Sequence, residues 1–184
     1  SHALLLAGGA VTAALLTLTL LPRLWNRLPR DRGKAICKDT GGMKSAGKPT
    51  GSGYYITLLC LPVIILFVPL MFWDMMIVVM LYAAMLFGYF DDKAEVPWGE
   101  LKKGLLDAVV SVAIACFFFL GHSEQGRMIL WLPFVKGLWL APWWVYVPGA
   151  AFILWFTMNA TNCSDGVDGL AGTLTVIALV MLAV

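Results

Sequence analysis

Six apolar stretches, each long enough or nearly long enough to cross a lipid bilayer, are the feature that most constrains how this chain folds. A spanning helix needs about 20 mostly apolar residues. The stretches occupy residues 3–22, 53–73, 75–90, 104–120, 145–158 and 169–184. Only 13% of the 184 residues are charged, against about 25% in soluble domains. The sequence therefore predicts an all-α integral membrane protein with about six transmembrane helices, forming a single polytopic domain over residues 1–184.

The distribution of lysine and arginine predicts how these helices are oriented. The loop 23–52 is strongly basic, so the positive-inside rule makes it cytoplasmic. Its basic side chains are Arg23, Arg27, Arg30, Arg32, Lys34, Lys38, Lys44 and Lys48. Alternating the helices from there makes loops 91–103 and 159–168 cytoplasmic as well. Asp74 and the connection 121–144 then lie outside. The Gly, Pro and Trp content of that connection favours a short external hairpin between helices 4 and 5, with a surface helix as the alternative.

The first chemical motif is Asp91-Asp92, at the end of the third predicted helix in Gly-Tyr-Phe-Asp-Asp-Lys. Adjacent carboxylates at a membrane boundary repel each other and lose hydration. A divalent metal ion or a cationic partner offsets both effects, so the pair predicts a metal-binding or phosphate-handling site. The alternative is that both carboxylates are simply hydrated just beyond the helix.

The second motif is Asn-Ala-Thr-Asn-Cys-Ser-Asp-Gly-Val-Asp-Gly-Leu, which joins the fifth and sixth predicted helices. Its candidate ligand-binding residues are Asn159, Asn162, Asp165, Gly166 and Asp168. Asp165 and Asp168 share one face if the sixth helix has already begun, and Gly166 permits close approach of a ligand. A plain helix-capping turn, the alternative, needs one such residue, whereas this motif holds two Asn, two Asp and two Gly, so it favours a ligand pocket.

The third motif is the Gly- and Lys-rich segment from Lys44 to Gly53, which includes Lys48. A glycine-rich backbone beside lysine suits phosphate oxygens, although the GxxxxGK[ST] order of a P-loop is absent. The alternative is that these lysines belong to the positive-inside signal and contact anionic lipid headgroups.

All three motifs lie on the predicted cytoplasmic face, so we expect them to converge in one cleft. The cleft would combine carboxylates with lysines. These are Asp91, Asp92, Asp165, Asp168, Lys44, Lys48, Lys102 and Lys103. Mg²⁺ is commonly bound by one or two carboxylates together with substrate phosphate oxygens. The pattern predicts a site for a metal-bound phosphate or diphosphate, at which catalysis would depend mostly on positioning and charge neutralisation at phosphorus.

The Asp-Asp and Asn-Asp motifs resemble those of the polyprenyl-phosphate N-acetylhexosamine-1-phosphate transferases. Within that superfamily the chain is most similar to the phospho-N-acetylmuramoyl-pentapeptide transferases, the translocase I enzymes. Lys44-Ser-Ala-Gly-Lys-Pro-Thr-Gly-Ser-Gly53 resembles their KxGTPTMGG segment, with Lys48 where Thr is usual and Gly51-Ser52 where Met-Gly is usual. The resemblance covers nearly the whole chain but about the first half of the family pattern. The family has ten transmembrane helices, and its principal metal-binding Asp and His-rich loop are expected after Val184.

The resemblance also implies roles for individual residues. Asp91 and Asp92 would deprotonate or position the lipid phosphate and help to organise the metal site. Lys103 would face the diphosphate, with Lys102 as the offset alternative. The remaining candidates would bind substrate, with Asp168 nearest the uracil and Asp165 nearer the ribose. Those candidates are Lys44, Lys48, Asn159, Asn162, Asp165, Gly166 and Asp168.

The reaction that the resemblance implies joins two substrates at phosphorus. Undecaprenyl phosphate would attack the β-phosphate of UDP-MurNAc-pentapeptide with Mg²⁺ present, giving lipid I and UMP for peptidoglycan biosynthesis. Direct displacement and a phospho-aspartate intermediate both remain open. The expected location is the bacterial cytoplasmic (inner) membrane, with a cytoplasmic active face. Expected partners are the two substrates, membrane lipid and a second copy in a homodimer, with no nucleic acid.

Three alternatives remain open at this point. A transferase of the same superfamily could use UDP-GlcNAc as the donor. A transporter or channel predicts ionisable residues near the bilayer midplane, whereas the carboxylates here cluster at helix ends. A non-catalytic membrane scaffold leaves the Asp-Asp and Asn-Asp motifs unexplained.

Overall fold

The computed structural model describes residues 2–30, 47, 51–94, 96, 98–131, 137–164 and 170–183. In chain order the described elements are helix α1 (His2–Leu24) with a short 3-10 turn (Trp25–Arg27), helices α2 (Ser52–Phe67), α3 (Phe72–Lys93) and α4 (Glu100–His122), strands β1 (Arg127–Trp131) and β2 (Leu138–Pro142), and helices α5 (Trp143–Ser164) and α6 (Leu170–Ala183).

Three of the described helices are long and apolar enough to cross a membrane: Leu4–Arg27, Phe72–Lys93 and Glu100–His122. Helix α2 is apolar but shorter. Large apolar side chains on these helices point outward; Leu18, for example, is 73% exposed. A lipid environment accounts for such exposure, which water would penalise. The predicted all-α membrane class is confirmed.

The second helix ends at Phe67 and not at residue 73 as the hydropathy predicted. The cause is Pro69, because a residue that precedes or approaches proline is biased away from helical geometry. Val68, directly before it, is extended, with φ −107° and ψ 125°. The following helix begins at Phe72, and the Met71 N–H donates to Asp74 Oδ2 at 3.1 Å. Asp74 therefore lies in the first turn of α3 and caps it.

A two-stranded hairpin connects α4 to α5, where the sequence predicted one. Strands β1 and β2 are antiparallel, with Arg127 opposite Pro142 and Trp131 opposite Leu138. Gly126 and Gly137, which precede the two strands, have positive φ angles of 71° and 116°, which glycine adopts without steric cost. The position of the hairpin outside the membrane stays a prediction.

The chain divides into two compact units, residues 1–99 and 100–184. In the first unit α1 packs on α2, and α2 packs on α3. Gly9 permits the close approach of α1 and α2, because a Cβ atom there would lie 3.0 Å from Phe67 Cβ. The absence of a side chain at Gly9 thus fixes how near the two helices come.

In the second unit α4 and α5 pack antiparallel. Phe119, late in α4, lies beside Tyr146, early in α5, with ring centroids 5.8 Å apart. Ser111, further back in α4, contacts Met158, later in α5. Their core is formed by the buried residues Val110, Ser111, Ala115, Phe119 and Ala151. This register brings the start of α4 beside the end of α5.

Candidate active site

The Asp91-Asp92 pair occupies the last turn of α3 and not a loop, because the helix continues to Lys93. Carboxylates are unfavourable at this end of a helix, where the dipole is negative. The Trp98 N–H offsets part of that cost by donating to Asp91 Oδ1 at 2.7 Å. Asp91 is half-buried and Asp92 is exposed. Two adjacent carboxylates at this unfavourable position are of the kind expected at a functional site, and their role there stays a prediction.

Asp92 lies against the residue that precedes α2. Gly51 has a positive φ of 68°, and a Cβ atom built on it would lie 3.2 Å from Tyr89 Cδ2, 3.5 Å from Pro29 Cγ and 3.6 Å from Asp92 Oδ2. Both the backbone angle and the available space therefore favour glycine here. This contact places the end of the Gly- and Lys-rich motif beside the carboxylate pair.

Two further contacts shape this end of the first unit. Tyr54, in the first turn of α2, stacks on Tyr89 of α3 with ring centroids 4.4 Å apart. Arg30 Nη1 donates to the Gly47 carbonyl at 3.2 Å. The stacking ties the start of α2 to the helix that carries Asp91 and Asp92, and the Arg30 bond joins the end of the first helical region to Gly47 of the basic segment.

In the second unit Lys103 lies in the first turns of α4. Its ammonium is 3.9 Å from Glu100 Oε1, and the two side chains are 24% and 91% exposed. Lys102, the offset alternative, is an exposed residue. Lys103 thus combines partial burial with an exposed acidic neighbour.

Trp155 of α5 connects this turn of α4 to Asn159. Its indole Nε1–H donates to the Gly104 carbonyl at 2.8 Å. Its own carbonyl accepts a bond from Asn159 Nδ2, also at 2.8 Å. The Asn159 amide nitrogen is therefore engaged within the helix. Asn162, nearly one turn further along α5, is exposed.

Asp107 was missed by the sequence analysis. It lies within the predicted span 104–120, one turn after Lys103 on the same helical face, where it is half-buried and interacts electrostatically with Lys103. An acidic residue inside an apolar helix is by itself a sign of function. Asp107 lies close to the predicted loop 91–103, so from the sequence its charge does not stand out from the charges of that loop.

The other site residues predicted from sequence lie outside the described residues. They are Lys44, Lys48, Asp165, Gly166 and Asp168. The predicted convergence of the three motifs in one cleft stays a prediction, since Asp91 and Asp92 belong to one compact unit and the other described candidates, Lys103, Asn159 and Asn162, to the other.

The carboxylate pair fits a magnesium ion in one respect. Within the described ranges there is no cluster of three or more His, Cys, Asp or Glu side chains able to hold a metal ion. Mg²⁺ does not require such a cage, because it usually keeps several waters and binds one or two carboxylates and substrate phosphates. Asp91 and Asp92 supply that type and number of oxygen ligands.

The described helices carry an acidic pair at the end of α3 and a lysine at the start of α4, beside the Asn-rich end of α5. This combination is typical of membrane proteins that bind phosphate groups. Residues 74–184 match glycosyl transferase family 4, and the chain belongs to this family. The family resemblance found in the motifs is thereby confirmed.

Curated relatives agree with this assignment. The phospho-N-acetylmuramoyl-pentapeptide-transferase of Treponema pallidum (strain Nichols) is 36% identical over 184 residues, covering 99% of this chain and 49% of the relative. Proteins of the same name from Borreliella afzelii (strain PKo) and Clostridium acetobutylicum are 25% and 28% identical, covering 97% and 77% of this chain and 54% and 46% of the relatives. The chain spans about half the length of these relatives, and no solved structure matches it.

Proposed function

We propose that this chain carries part of the active site of a phospho-N-acetylmuramoyl-pentapeptide transferase. The reaction joins undecaprenyl phosphate to the phospho-sugar of UDP-MurNAc-pentapeptide, giving lipid I and UMP at the cytoplasmic face of a bacterial membrane. The observation that carries the proposal is the Asp91-Asp92 pair at the end of an apolar helix, where the Trp98 N–H donates to Asp91 and Asp92 Oδ2 lies 3.6 Å from the position that a Cβ atom on Gly51 would take.

The chemistry balances at phosphorus. An oxygen of the lipid phosphate forms a bond to the β-phosphorus of the donor, and the bond from that phosphorus to the bridging oxygen breaks. UMP leaves with the bridging oxygen. Phosphoryl transfer of this kind depends mostly on positioning and on stabilising charge.

Asp91 and Asp92 take the roles at the lipid phosphate. The Trp98 N–H fixes the Asp91 carboxylate, so Asp91 is suited to hold a ligand in one orientation. Asp92 is the more exposed of the two and is suited to accept a proton from the lipid phosphate or to bind a metal ion. Mg²⁺, the expected cofactor, would neutralise phosphate charge when bound by these two carboxylates.

Lys103, Asn159 and Asn162 take the roles at the nucleoside diphosphate. Lys103 supplies a positive charge near the start of α4, where Glu100 Oε1 lies 3.9 Å from its ammonium and Asp107 lies one turn further along the helix. The Asn159 Oδ1 and the Asn162 amide offer hydrogen-bonding groups on the neighbouring end of α5. Lys44, Lys48, Asp165, Gly166 and Asp168 complete the proposed set of substrate-binding residues.

The test is release of UMP by the detergent-solubilised protein. It is incubated with UDP-MurNAc-pentapeptide, undecaprenyl phosphate and Mg²⁺, with and without EDTA. The Treponema pallidum relative serves as a full-length control. We expect UMP that disappears when EDTA removes the metal ion. Binding of UDP to the same protein is measured in parallel, because a partial site can bind nucleotide without completing the reaction.

Each outcome decides between the alternatives. UDP binding without UMP release, beside an active relative, means that this chain holds part of the site and needs further residues for turnover. UMP release only with UDP-GlcNAc moves the assignment to the GlcNAc-1-phosphate branch. A folded protein that neither binds UDP nor releases UMP from either donor contradicts the proposal and favours a scaffold.

A further inference from the structure

We infer that Trp155 is a positioning residue, which holds Lys103 on α4 in register with Asn159 and Asn162 on α5 so that one nucleoside diphosphate can contact both helices. The inference rests on the proposed function, because it concerns the same ligand. It concerns a tryptophan that none of the predicted motifs contains, at the point where two helices of one compact unit meet.

Two hydrogen bonds of Trp155 connect the turn of α4 that follows Lys103 with Asn159 on α5. The Trp155 indole donates to the carbonyl of Gly104, the residue directly after Lys103, at 2.8 Å. The carbonyl of Trp155 accepts the Asn159 amide, also at 2.8 Å. A displacement of α4 along α5 must therefore break the first of these bonds, and a rotation of the Asn159 side chain must break the second.

The Trp155 bond adds a directional constraint to the apolar packing of α4 on α5. The α4–α5 core contains small side chains, among them Val110, Ala115 and Ala151, together with the larger Phe119 towards the other end of α4. Hydrophobic contact is non-directional, whereas a hydrogen bond weakens steeply when its distance or angle changes. A second polar contact, from Ser111 Oγ to Met158 Sδ at 3.6 Å, involves sulfur, a weak acceptor. The Trp155 bond is the stronger constraint of the two and lies nearer to Lys103.

Loss of the bond from Trp155 to Gly104 should raise the dissociation constant of the nucleoside diphosphate. A net hydrogen bond of about 1 kcal/mol corresponds to about a five-fold change in a dissociation constant. The interaction between Lys103 and a phosphate falls with distance, so a small displacement of the first turn of α4 affects it directly.

The first experiment measures UDP binding in the presence of Mg²⁺ for the parent and for Trp155→Phe, which keeps an aromatic ring and removes the donor. We expect the dissociation constant to rise about five-fold. Trp155→Leu, which also lacks a donor, is a second variant in case the first does not fold. Met158→Ala is the matched control, since it loosens the same helix pair through Ser111 without touching Gly104. It should lower the melting temperature but change the dissociation constant less than about two-fold.

A general packing role for Trp155 predicts a different pattern. In that case Met158→Ala and Trp155→Phe would weaken UDP binding equally for an equal loss of melting temperature, and the inference would be overturned. Trp144→Phe, at the exposed opposite end of α5, should leave both quantities unchanged.

The second experiment measures the helix register without any ligand. Spin labels are attached at Leu101→Cys and Ala160→Cys, two exposed positions, after the native cysteines are replaced by serine. We expect Trp155→Phe to broaden or shift the distance distribution and Trp144→Phe to leave it unchanged. An unchanged distribution in Trp155→Phe overturns the positioning role. A parent protein that does not bind UDP, with a normal distance distribution, instead overturns the proposed function.

Discussion

At the end of α3 the Asp91 carboxylate is held by a backbone N–H, whereas in the α4–α5 pair the Gly104 carbonyl is held by a side chain, Trp155. The difference affects how each region responds to substitution. Most side-chain changes at residue 98 leave the backbone donor of Asp91 in place, but a single change at residue 155 removes the donor to Gly104. We call the end of α3 with Asp91 and Asp92 the acidic end, and the start of α4 with Lys103 the basic end. The function of the acidic end should therefore depend mainly on the carboxylates and Gly51, and that of the basic end on a network of side chains.

The largest effect is expected at the acidic end. Asp92→Asn keeps the shape of the side chain and removes the charge that binds metal or accepts a proton, so transfer should fall about 100-fold or more. UMP release measures it. Asp74→Asn, at the other end of the same helix, is the control. It should weaken the cap on Met71 and lower the melting temperature, with transfer within about two-fold of the parent. Equal activity of Asp92→Asn and the parent would remove Asp92 from the site.

The next effect tests the basic end. Lys103→Met retains the apolar length of the side chain and removes the ammonium, so transfer or UDP affinity should fall about 30-fold, as expected for a charge-assisted contact. Lys102→Met, at the exposed neighbouring position, should cost less than about three-fold. If the two results are reversed, the diphosphate contact belongs to Lys102.

A third prediction concerns how the acidic end is supported. Gly51→Ala places a methyl group 3.2 Å from Tyr89 and 3.6 Å from Asp92 Oδ2, on a backbone with positive φ that costs about 1–2 kcal/mol for other residues. We expect transfer about ten-fold lower and a lower melting temperature. Gly53→Ala, in α2 with nothing within 4 Å of its Cβ position, should be neutral or slightly stabilising. Equal behaviour of the two variants contradicts the role assigned to Gly51.

The smallest effect separates two acids near Lys103. Asp107→Asn removes a half-buried charge, and we expect UDP affinity to fall about three- to five-fold because Lys103 loses a partner that limits its motion. Glu100→Gln removes an almost fully exposed charge, which water and salt screen, so its effect should remain below about two-fold. A rise in affinity for Asp107→Asn would show instead that Asp107 competes with the ligand for Lys103.

The sequence predicted helices well where they follow from the length of an apolar run. It predicted helix ends less well, because these depend on local backbone geometry. The helix class and the hairpin between α4 and α5 follow from apolar runs and from Gly, Pro and Trp content. The end of α2 at Phe67 did not follow, because hydropathy continues through Val68 and Pro69 while the backbone does not. Asp91 and Asp92 were identified by type and placed at a helix end, but their position inside the last turn required the structure.

Composition and charge order by themselves determined that the chain is a helical membrane protein with acidic, basic and Asn-rich motifs at helix ends, because long apolar runs and the positions of charges are one-dimensional properties. Only the tertiary structure decided which partner each polar group has. The Trp155 bond to Gly104 joins residues 51 positions apart, and Gly51 meets Tyr89 and Asp92 across two helices. Such contacts depend on helix register and side-chain direction, and neither is encoded in the hydrophobic pattern.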